Sequence, residues 1–214
     1  METYVTPSEN KPEFIRPWPL AVCTYNTFAQ FIQVFNPDEC KQYIRDAKAN
    51  ERTTTIQKGK VGSETNNENY EIRNSDVCFF RSENTLNSPL FSKLTDIIVN
   101  ANASFFAYDI FEIEAVQFSE YSSKYDGFYG KHLDIVQNSS STGVRKLSFS
   151  VQLSSPDSYE GGELILHTCD EPTVAPKELG SLILFPSYTL HEVTPVTEGV
   201  RYSLVGWVIG PAFK

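Results

Sequence analysis

Apolar and polar positions follow two different periods along the chain, and the change falls near residue 110. From there to about residue 210, short runs rich in Val, Ile, Phe, Tyr and Leu alternate with polar residues and are separated by Gly, Pro, Ser and Asp. The runs are FEIEAVQFSEYS, VRKLSFSVQLSS, GGELILH, LGSLILFP and GVRYSLVGWVIG. Several short strands at this spacing, without helices between them, are typical of a β-sandwich or jelly roll rather than of an alternating βαβ sheet.

The N-terminal half contains two segments with helical spacing. Asn36 can cap a helix and Pro37 suits its first position, so the sequence predicts a helix over residues 37–49. A second helix is predicted to begin at Ser88-Pro89, with apolar side chains at helical spacing at Leu90, Leu94, Ile97 and Ile98. We expect both helices to pack on the sheet, which gives a mainly β fold with flanking α. The aromatic run FFAYDIF that follows is interpreted as core.

The remaining segments are polar or rich in proline. Four prolines in the first twenty residues predict an extended arm over residues 1–20. Residues 51–71 are polar and turn-prone, and residues 137–143 include the run NSSSTG. Each of these two segments predicts a loop, which is either a lid over a site or a disordered excursion. At 214 residues the chain fits one domain spanning residues 1–214.

Charge and cysteine usage argue against several classes of protein. A net charge of −9 and a pI near 4.9 disfavour binding to a phosphate backbone, so nucleic acid is not an expected partner. The sequence begins without a basic and apolar leader and has no apolar run of bilayer length, so we expect no membrane association. The four cysteines lack Cys-x-x-Cys spacing, which favours reduced thiols in a cytoplasmic protein; they are Cys23, Cys40, Cys78 and Cys169.

Two of the three histidines in the chain form a candidate metal site. In the stretch YGKHLDIV, His132 and Asp134 are two residues apart, so on a strand both side chains point to the same side. His191 lies at the start of a later strand, and we expect it to reach the pair from a facing strand. Two imidazoles and one carboxylate can occupy one face of an octahedral Fe(II), as in the non-haem iron oxygenases. His167 has no such neighbours and is interpreted as a hydrogen-bonded structural histidine.

A second candidate group lies ten residues after His191. Arg201 and Ser203 share one face of the predicted strand GVRYSLVGWVIG. An arginine that points into an otherwise apolar barrel needs an anion, because an unpaired buried charge is very costly. A dicarboxylate cosubstrate would supply that anion, with its far carboxylate on Arg201 and Ser203 and its other end chelating the iron.

These residues together resemble a known family, the Fe(II)- and 2-oxoglutarate-dependent dioxygenases, and specifically its prolyl 4-hydroxylase-like branch. The resemblance rests on YGKHLD at 129–134, YEGGEL at 159–164, LGSLILFPS at 179–187 and HEVTPVTEGVR at 191–201. The GGEL and HEVTPV stretches are similar to the bacterial type of these hydroxylases. The resemblance implies a double-stranded β-helix, or jelly roll, as the core over residues 110–210.

The resemblance also implies roles for individual residues. The residues that would bind Fe(II) are His132, Asp134 and His191. The residue that would hold the distal carboxylate of 2-oxoglutarate is Arg201, assisted by Ser203. The tyrosines that would lie near the cosubstrate are Tyr121 and Tyr129, with Tyr125 as an alternative.

The implied activity is hydroxylation of an unactivated C–H bond, coupled to conversion of 2-oxoglutarate and O2 into succinate and CO2. Ascorbate is a further cofactor candidate. The implied substrate is a prolyl residue in a peptide or protein, and the first alternative is a free amino acid or another small molecule. Two other classes stay open: a metal-dependent jelly-roll enzyme without 2-oxoglutarate, and a non-catalytic jelly-roll binding module.

Overall fold

The computed structural model describes residues 26–60, 71–135, 143–168 and 171–213. The expected N-terminal arm lies outside the described residues, as do residues 61–70 of the polar segment and nearly all of the predicted loop at 137–143. Within these four ranges, no helix has both the length and the apolar character needed to cross a membrane.

Helix α1 spans Pro37–Ala49, which confirms the prediction, and its first turn is capped in both directions. The Asn36 side chain accepts hydrogen bonds from the backbone N–H groups of Asp38 and Glu39 at 3.0 and 2.9 Å. The Glu39 carboxylate in turn accepts one from the Asn36 N–H at 2.7 Å. The helix ends at Asn50, whose φ of 59° is a left-handed conformation that asparagine tolerates.

Helix α2 spans Ser88–Ala101 and buries one apolar stripe. Three of its side chains are at most 1% exposed, namely Leu90, Leu94 and Ile98. They belong to one hydrophobic cluster with residues of α1 and of the larger sheet described below. The helices therefore pack on the sheet, as expected from the spacing of their apolar residues.

A π-helical turn over Asn102–Phe106 follows α2 and changes the direction of the chain. The Asn102 side chain donates to the Tyr108 carbonyl at 2.9 Å and accepts from the Tyr108 N–H at 3.1 Å. The interpretation of the aromatic run as core is only partly right, because Phe105 and Phe111 are 39% and 54% exposed. Phe105 and Phe111 thus lie at the surface, while Phe106 and Tyr108 pack against the core.

The described strands form two antiparallel sheets. In spatial order the larger sheet contains β1 (Ala29–Phe31), β11 (Leu182–Pro186), β7 (Val144–Gln152), β13 (Val196–Gly210), β5 (Glu112–Ser122), β4 (Asp76–Phe80) and β2 (Gln57–Lys58), with β8 (Tyr159–Gly161) paired to β13. The smaller sheet contains β10 (Thr173–Val174), β9 (Leu164–His167), β12 (Leu190–Val193), β6 (Phe128–His132) and β3 (Arg73–Asn74). The predicted mainly β jelly roll with flanking helices is confirmed.

Strand β13 lies at the centre of the larger sheet and presents two different faces. Tyr202 and Leu204 belong to the hydrophobic cluster shared with α1 and α2. The alternate residues Arg201 and Val205 instead line a cavity between the two sheets. The alternation along one strand thus separates the packed core from the candidate site.

Strands β2 and β4 have no counterpart among the predicted elements. Strand β4 carries the sequence DVCFF and pairs with β5, while the polar β2 pairs with β4 through Gln57 opposite Val77. The prediction of an unbroken loop over 51–71 is therefore wrong at residues 57–58. A two-residue edge strand needs only backbone hydrogen bonds from its neighbour, and these leave no apolar pattern in the sequence.

Candidate active site

The three predicted metal ligands converge at one point of the smaller sheet. His132 ends strand β6, and His191 on β12 lies directly opposite it in the antiparallel register. The Asp134 carboxylate lies between the two rings, 3.7 Å from Nε2 of His132 and 3.4 Å from Nε2 of His191. One ligand atom from each residue lies within 4.8 Å of the others, a spacing that can hold a metal ion.

The expected placement of these residues needs two corrections. His191 comes from the neighbouring strand of the same sheet and not from a facing strand. Asp134 lies two residues beyond the end of β6, so strand alternation does not orient it. Its position is fixed by the Ser187 carbonyl, which accepts hydrogen bonds from the N–H groups of Asp134 at 3.0 Å and Ile135 at 2.9 Å.

Backbone carbonyls orient both imidazole rings. Nδ1 of His132 lies 2.8 Å from the Gly130 carbonyl oxygen, and Nδ1 of His191 lies 2.9 Å from that of Thr189. A carbonyl can only accept, so Nδ1 carries a proton, and in the neutral form of each ring Nε2 presents its lone pair towards Asp134. Burial, with the charge of neighbouring His191, lowers the pKa of His132 to about 4. His132 is therefore neutral near pH 7, the form that binds metal.

A cavity of about 280 Å³ opens between the sheets at this point, and the three ligands line it. Arg201, Tyr121 and Tyr129 line the same cavity. Apolar side chains complete the walls, among them Leu164, Phe185, Val193 and Val205. Phe185 packs edge-on against the His191 ring, with 4.9 Å between the ring centroids.

Arg201 is the buried cation of the larger sheet that lines this cavity together with the histidines. It is 4% exposed, and its Nη1 donates to the Ser203 hydroxyl at 3.4 Å. Ser203 is fully buried behind it and does not line the cavity, so Ser203 contacts the guanidinium rather than the cavity space. Among the residues that the structure describes, no carboxylate forms an ion pair with Arg201.

The three candidate tyrosines occupy different places. The Tyr129 ring stacks on the His132 ring at 3.6 Å between centroids, and burial raises the pKa of Tyr129 to about 12. Tyr121 is 3% exposed and lies opposite Arg201 in the β5–β13 pair. The Tyr125 hydroxyl instead donates to the Asp76 carboxylate at 3.2 Å, and Tyr125 does not line the cavity.

Comparison with known proteins finds a family match over part of the chain. The profile of the 2OG-Fe(II) oxygenase superfamily matches residues 116–209, which span both histidine ligands, Asp134 and Arg201. Over these residues the chain is similar to that superfamily. The chain is also 44% identical over 97 residues to a PKHD-type hydroxylase of Prochlorococcus marinus, covering 45% of this chain and 42% of the relative. A PKHD-type hydroxylase of P. marinus (strain NATL2A) is 37% identical over 126 residues, covering 57% of this chain and 55% of the relative.

Solved structures share the fold of this chain at low identity. A Pseudomonas putida prolyl-4-hydroxylase aligns with a TM-score of 0.68 at 19% identity, covering 86% of this chain and 92% of that one. A Trichoplax adhaerens prolyl hydroxylase in complex with a peptide fragment aligns with a TM-score of 0.69 at 18% identity, covering 86% and 84%. The match to curated relatives spans about half of their length or less.

Sequence reasoning missed several residues that line this cavity. Arg73 on the edge strand β3, Gln117 on β5, and the neighbours Arg145 and Trp207 all line it. The position of Gln117 could have been predicted from the sequence, because Gln117, Ser119 and Tyr121 alternate along one central strand and so share a face. Polar residues on one face of a central strand indicate a polar cavity. Arg73 carried no such signal, because a two-residue strand has no period.

His167 lies outside this constellation, in agreement with its interpretation as structural. Its Nε2 is 2.8 Å from the Glu192 carboxylate on the neighbouring strand β12. It is not among the residues that line the cavity. His167 therefore offers a matched histidine for control experiments.

Proposed function

We propose that this protein is an Fe(II)- and 2-oxoglutarate-dependent dioxygenase that hydroxylates an unactivated C–H bond, in a prolyl residue of a peptide or protein. One observation carries the proposal. The Nε2 atoms of His132 and His191 and the Asp134 carboxylate converge in the same cavity as Arg201, a buried cation without a carboxylate partner among the described residues. The donor set fits Fe(II), and the cation fits a dicarboxylate cosubstrate.

Different residues of the chain would bind the metal and the cosubstrate. His132, Asp134 and His191 would hold the metal, and three protein ligands leave room for cosubstrate and O2 to bind it as well. Bound Fe(II) and 2-oxoglutarate would supply the activation of O2. Arg201 would donate to the distal carboxylate, and the Ser203 hydroxyl limits the positions that its guanidinium can adopt.

The cavity walls would protect the reaction from water. Leu164, Phe185, Val193 and Val205 offer no hydrogen bonds to solvent, so water gains little by entering between them. A dry cavity strengthens the attraction between Arg201 and a carboxylate, since the local dielectric constant is low. Tyr129 would keep its proton at neutral pH, because burial raises its pKa to about 12, and could donate a hydrogen bond near the metal.

The prolyl substrate is supported by the fold neighbours. The proteins from Pseudomonas putida and Trichoplax adhaerens are described as prolyl hydroxylases, and the second holds a peptide fragment. The curated relatives are described as PKHD-type hydroxylases. These likenesses support a peptide substrate, and the reaction itself needs a direct assay.

The test is succinate formation from 2-oxoglutarate by purified protein with Fe(II), ascorbate and O2. We expect turnover in the wild type, loss of turnover in His132→Ala, and retention in His167→Ala, the matched control outside the cavity. Stimulation by proline-containing peptides, and not by the same peptides with alanine at proline, would support the prolyl substrate.

Three outcomes would contradict the proposal. Succinate formation that survives in His132→Ala would exclude the predicted ligand set. Iron binding without any 2-oxoglutarate binding, measured by titration under anaerobic conditions, would favour a metal-dependent enzyme that does not use 2-oxoglutarate. A protein that binds neither would be the non-catalytic jelly-roll module.

We also propose that the enzyme works in the cytoplasm. Cys40 and Cys78 are both buried free thiols, and a reducing compartment preserves such groups. Fractionation of cells that express the chain with a C-terminal tag tests this, and a periplasmic or secreted product would contradict it.

A further inference from the structure

We propose that Arg73 is a second anion-binding arginine of the cavity and that the molecule to be hydroxylated presents a carboxylate to it. This inference rests on the proposed function, because it assigns the substrate class of the same site. It starts from a buried cation that neither the metal nor the cosubstrate explains.

Arg73 lies beside the metal ligands on the smaller sheet. Strand β3 pairs with β6 so that Arg73 is opposite Tyr129. The Arg73 guanidinium carbon is 4.6 Å from the centroid of the Tyr129 ring, and that ring stacks on His132 at 3.6 Å. Arg73 is 7% exposed and lines the cavity. A group bound to Arg73 would therefore lie in the same cavity as the proposed metal ligands, with the Tyr129 ring in contact with both Arg73 and His132.

The surrounding backbone is shaped to hold this side chain. The Arg73 Nε donates to the Ser75 hydroxyl at 2.8 Å, and Nη1 donates to the Lys60 carbonyl at 3.3 Å. Gly59 packs against the guanidinium so closely that a Cβ there would lie 2.4 Å from Nε and 2.8 Å from the guanidinium carbon. The Gly59 N–H is itself fixed by the Ser75 carbonyl at 2.8 Å. Arg73 is thus held in place by groups that carry no negative charge.

The charges around the cavity leave Arg73 uncompensated within the described part of the chain. Arg145 pairs with Glu114 at 2.5 Å, whereas none of the ion pairs between described residues involves Arg73. With Fe(II) and the 2-oxoglutarate dianion bound, the formal charges of metal, dianion, Asp134 and Arg201 cancel. Lys60 also lines the cavity but is exposed to solvent, so among the buried groups one positive charge remains, on Arg73. A buried guanidinium without an anion is costly, so a further anion would be favoured there.

This anion would belong to the substrate and not to a second cosubstrate. Arg201 lies on the larger sheet and Arg73 on the edge strand of the smaller one, so the two arginines approach the cavity from different walls. A planar carboxylate matches the guanidinium fork. The uncharged interior of a peptide would leave the charge unmatched. A free amino acid or a peptide with a terminal or side-chain carboxylate would match it.

The experiment measures binding of matched acids and amides to the protein loaded with Fe(II) and saturating 2-oxoglutarate under anaerobic conditions. Calorimetry compares each free amino acid with its carboxamide, and compares the peptides Gly-Pro and Gly-Asp-Pro with their C-terminal amides. We expect at least one acid to bind about ten- to a hundred-fold more tightly than its amide. Preference among the free amino acids or among the peptides identifies the source of the carboxylate.

Three variants test whether Arg73 causes the preference. Arg73→Gln should abolish the difference between acid and amide, and Arg73→Lys should keep part of it. Gly59→Ala should weaken acid binding without changing any charge, because the new methyl group displaces the guanidinium. Arg45→Gln removes one positive charge from an exposed position of α1 and is the control that should keep the full preference.

The outcomes separate this inference from the proposed function. If the wild type binds Fe(II) and 2-oxoglutarate but no acid more tightly than its amide, the inference is overturned and the proposed function stands. An acid preference that survives in Arg73→Gln overturns it as well. Failure of the wild type to bind 2-oxoglutarate contradicts the proposed function before any acid is added.

Discussion

Replacement of Arg201 by glutamine should remove most of the affinity for 2-oxoglutarate while leaving iron binding intact. Arg201 is 4% exposed, and the neighbours of its guanidinium are a serine hydroxyl and an aromatic ring. Loss of one partner from a buried charge pair costs about 2–5 kcal/mol. A value near 3 kcal/mol corresponds to an affinity on the order of 100-fold weaker.

Thermal unfolding with and without cosubstrate measures this loss. At a 2-oxoglutarate concentration of about 100 times its Kd, the wild type should gain about 2.7 kcal/mol, which for a chain of this length raises Tm by roughly 5–10 °C. Arg201→Gln should show almost no shift at the same concentration. Arg201→Lys should show an intermediate shift, because the charge remains while the bidentate geometry is lost.

The same experiment contains the result that would refute the reasoning. Without cosubstrate, Arg201→Gln should be at least as stable as the wild type, because it removes a buried charge that no described carboxylate neutralises. A marked loss of stability in the cosubstrate-free variant would mean that Arg201 is a structural cation. An undiminished Tm shift would mean that 2-oxoglutarate binds elsewhere.

Three further predictions follow from single residues. The free energy of unfolding of the metal-free protein should fall by about 2 kcal/mol between pH 7.5 and pH 5, because the pKa of His132 is lowered from 6.5 to about 4 in the folded state and the unfolded chain takes up the proton first. Urea unfolding measures this fall, and the His132→Asn variant should lack it. Gly180→Ala should cost about 2–4 kcal/mol in urea unfolding, because φ is +78° and the Cβ would lie 1.8 Å from the Phe35 carbonyl oxygen; an unchanged midpoint would contradict this. Cys40 should resist alkylation by iodoacetamide at pH 8 in the folded state, because burial raises its pKa to about 11. Mass spectrometry measures the labelling, and labelling of Cys40 at the rate of a free thiol would contradict this prediction.

Most of the fold could be predicted because its signals are local. The cap at Asn36 and the apolar stripe from Leu90 to Ile98 depend only on residues within a few positions of each other, and both helices lie where the sequence predicts them. The strands β5, β7 and β13 are long enough to show a period of two. The strands that were missed are short or lie in segments without alternation, and their pairing with distant strands is what defines them.

The candidate site was predicted by residue type and order, and its geometry was not. The sequence predicted that His132, Asp134 and His191 form one cluster. What brings the three side chains together is the register between β6 and β12 and the hydrogen bonds to the Ser187 carbonyl. Pairing register is a tertiary property, so no local rule distinguishes a neighbouring strand from a facing one. The same limit hid Arg73, which approaches the site only through its pairing with β6.

The two sheets divide the proposed chemistry between them, and this division predicts how the variants should combine. The proposed metal ligands and Arg73 lie on the smaller sheet or at its strand ends, while Arg201 and the tyrosine opposite it lie on the larger sheet. Changes at sites that share no partner act independently on binding free energy. Arg73→Gln should therefore leave the Kd of 2-oxoglutarate within about twofold of wild type. A large change in that Kd would instead mean that both arginines hold the same dianion, and the unmatched positive charge beside the metal would then already have its anion.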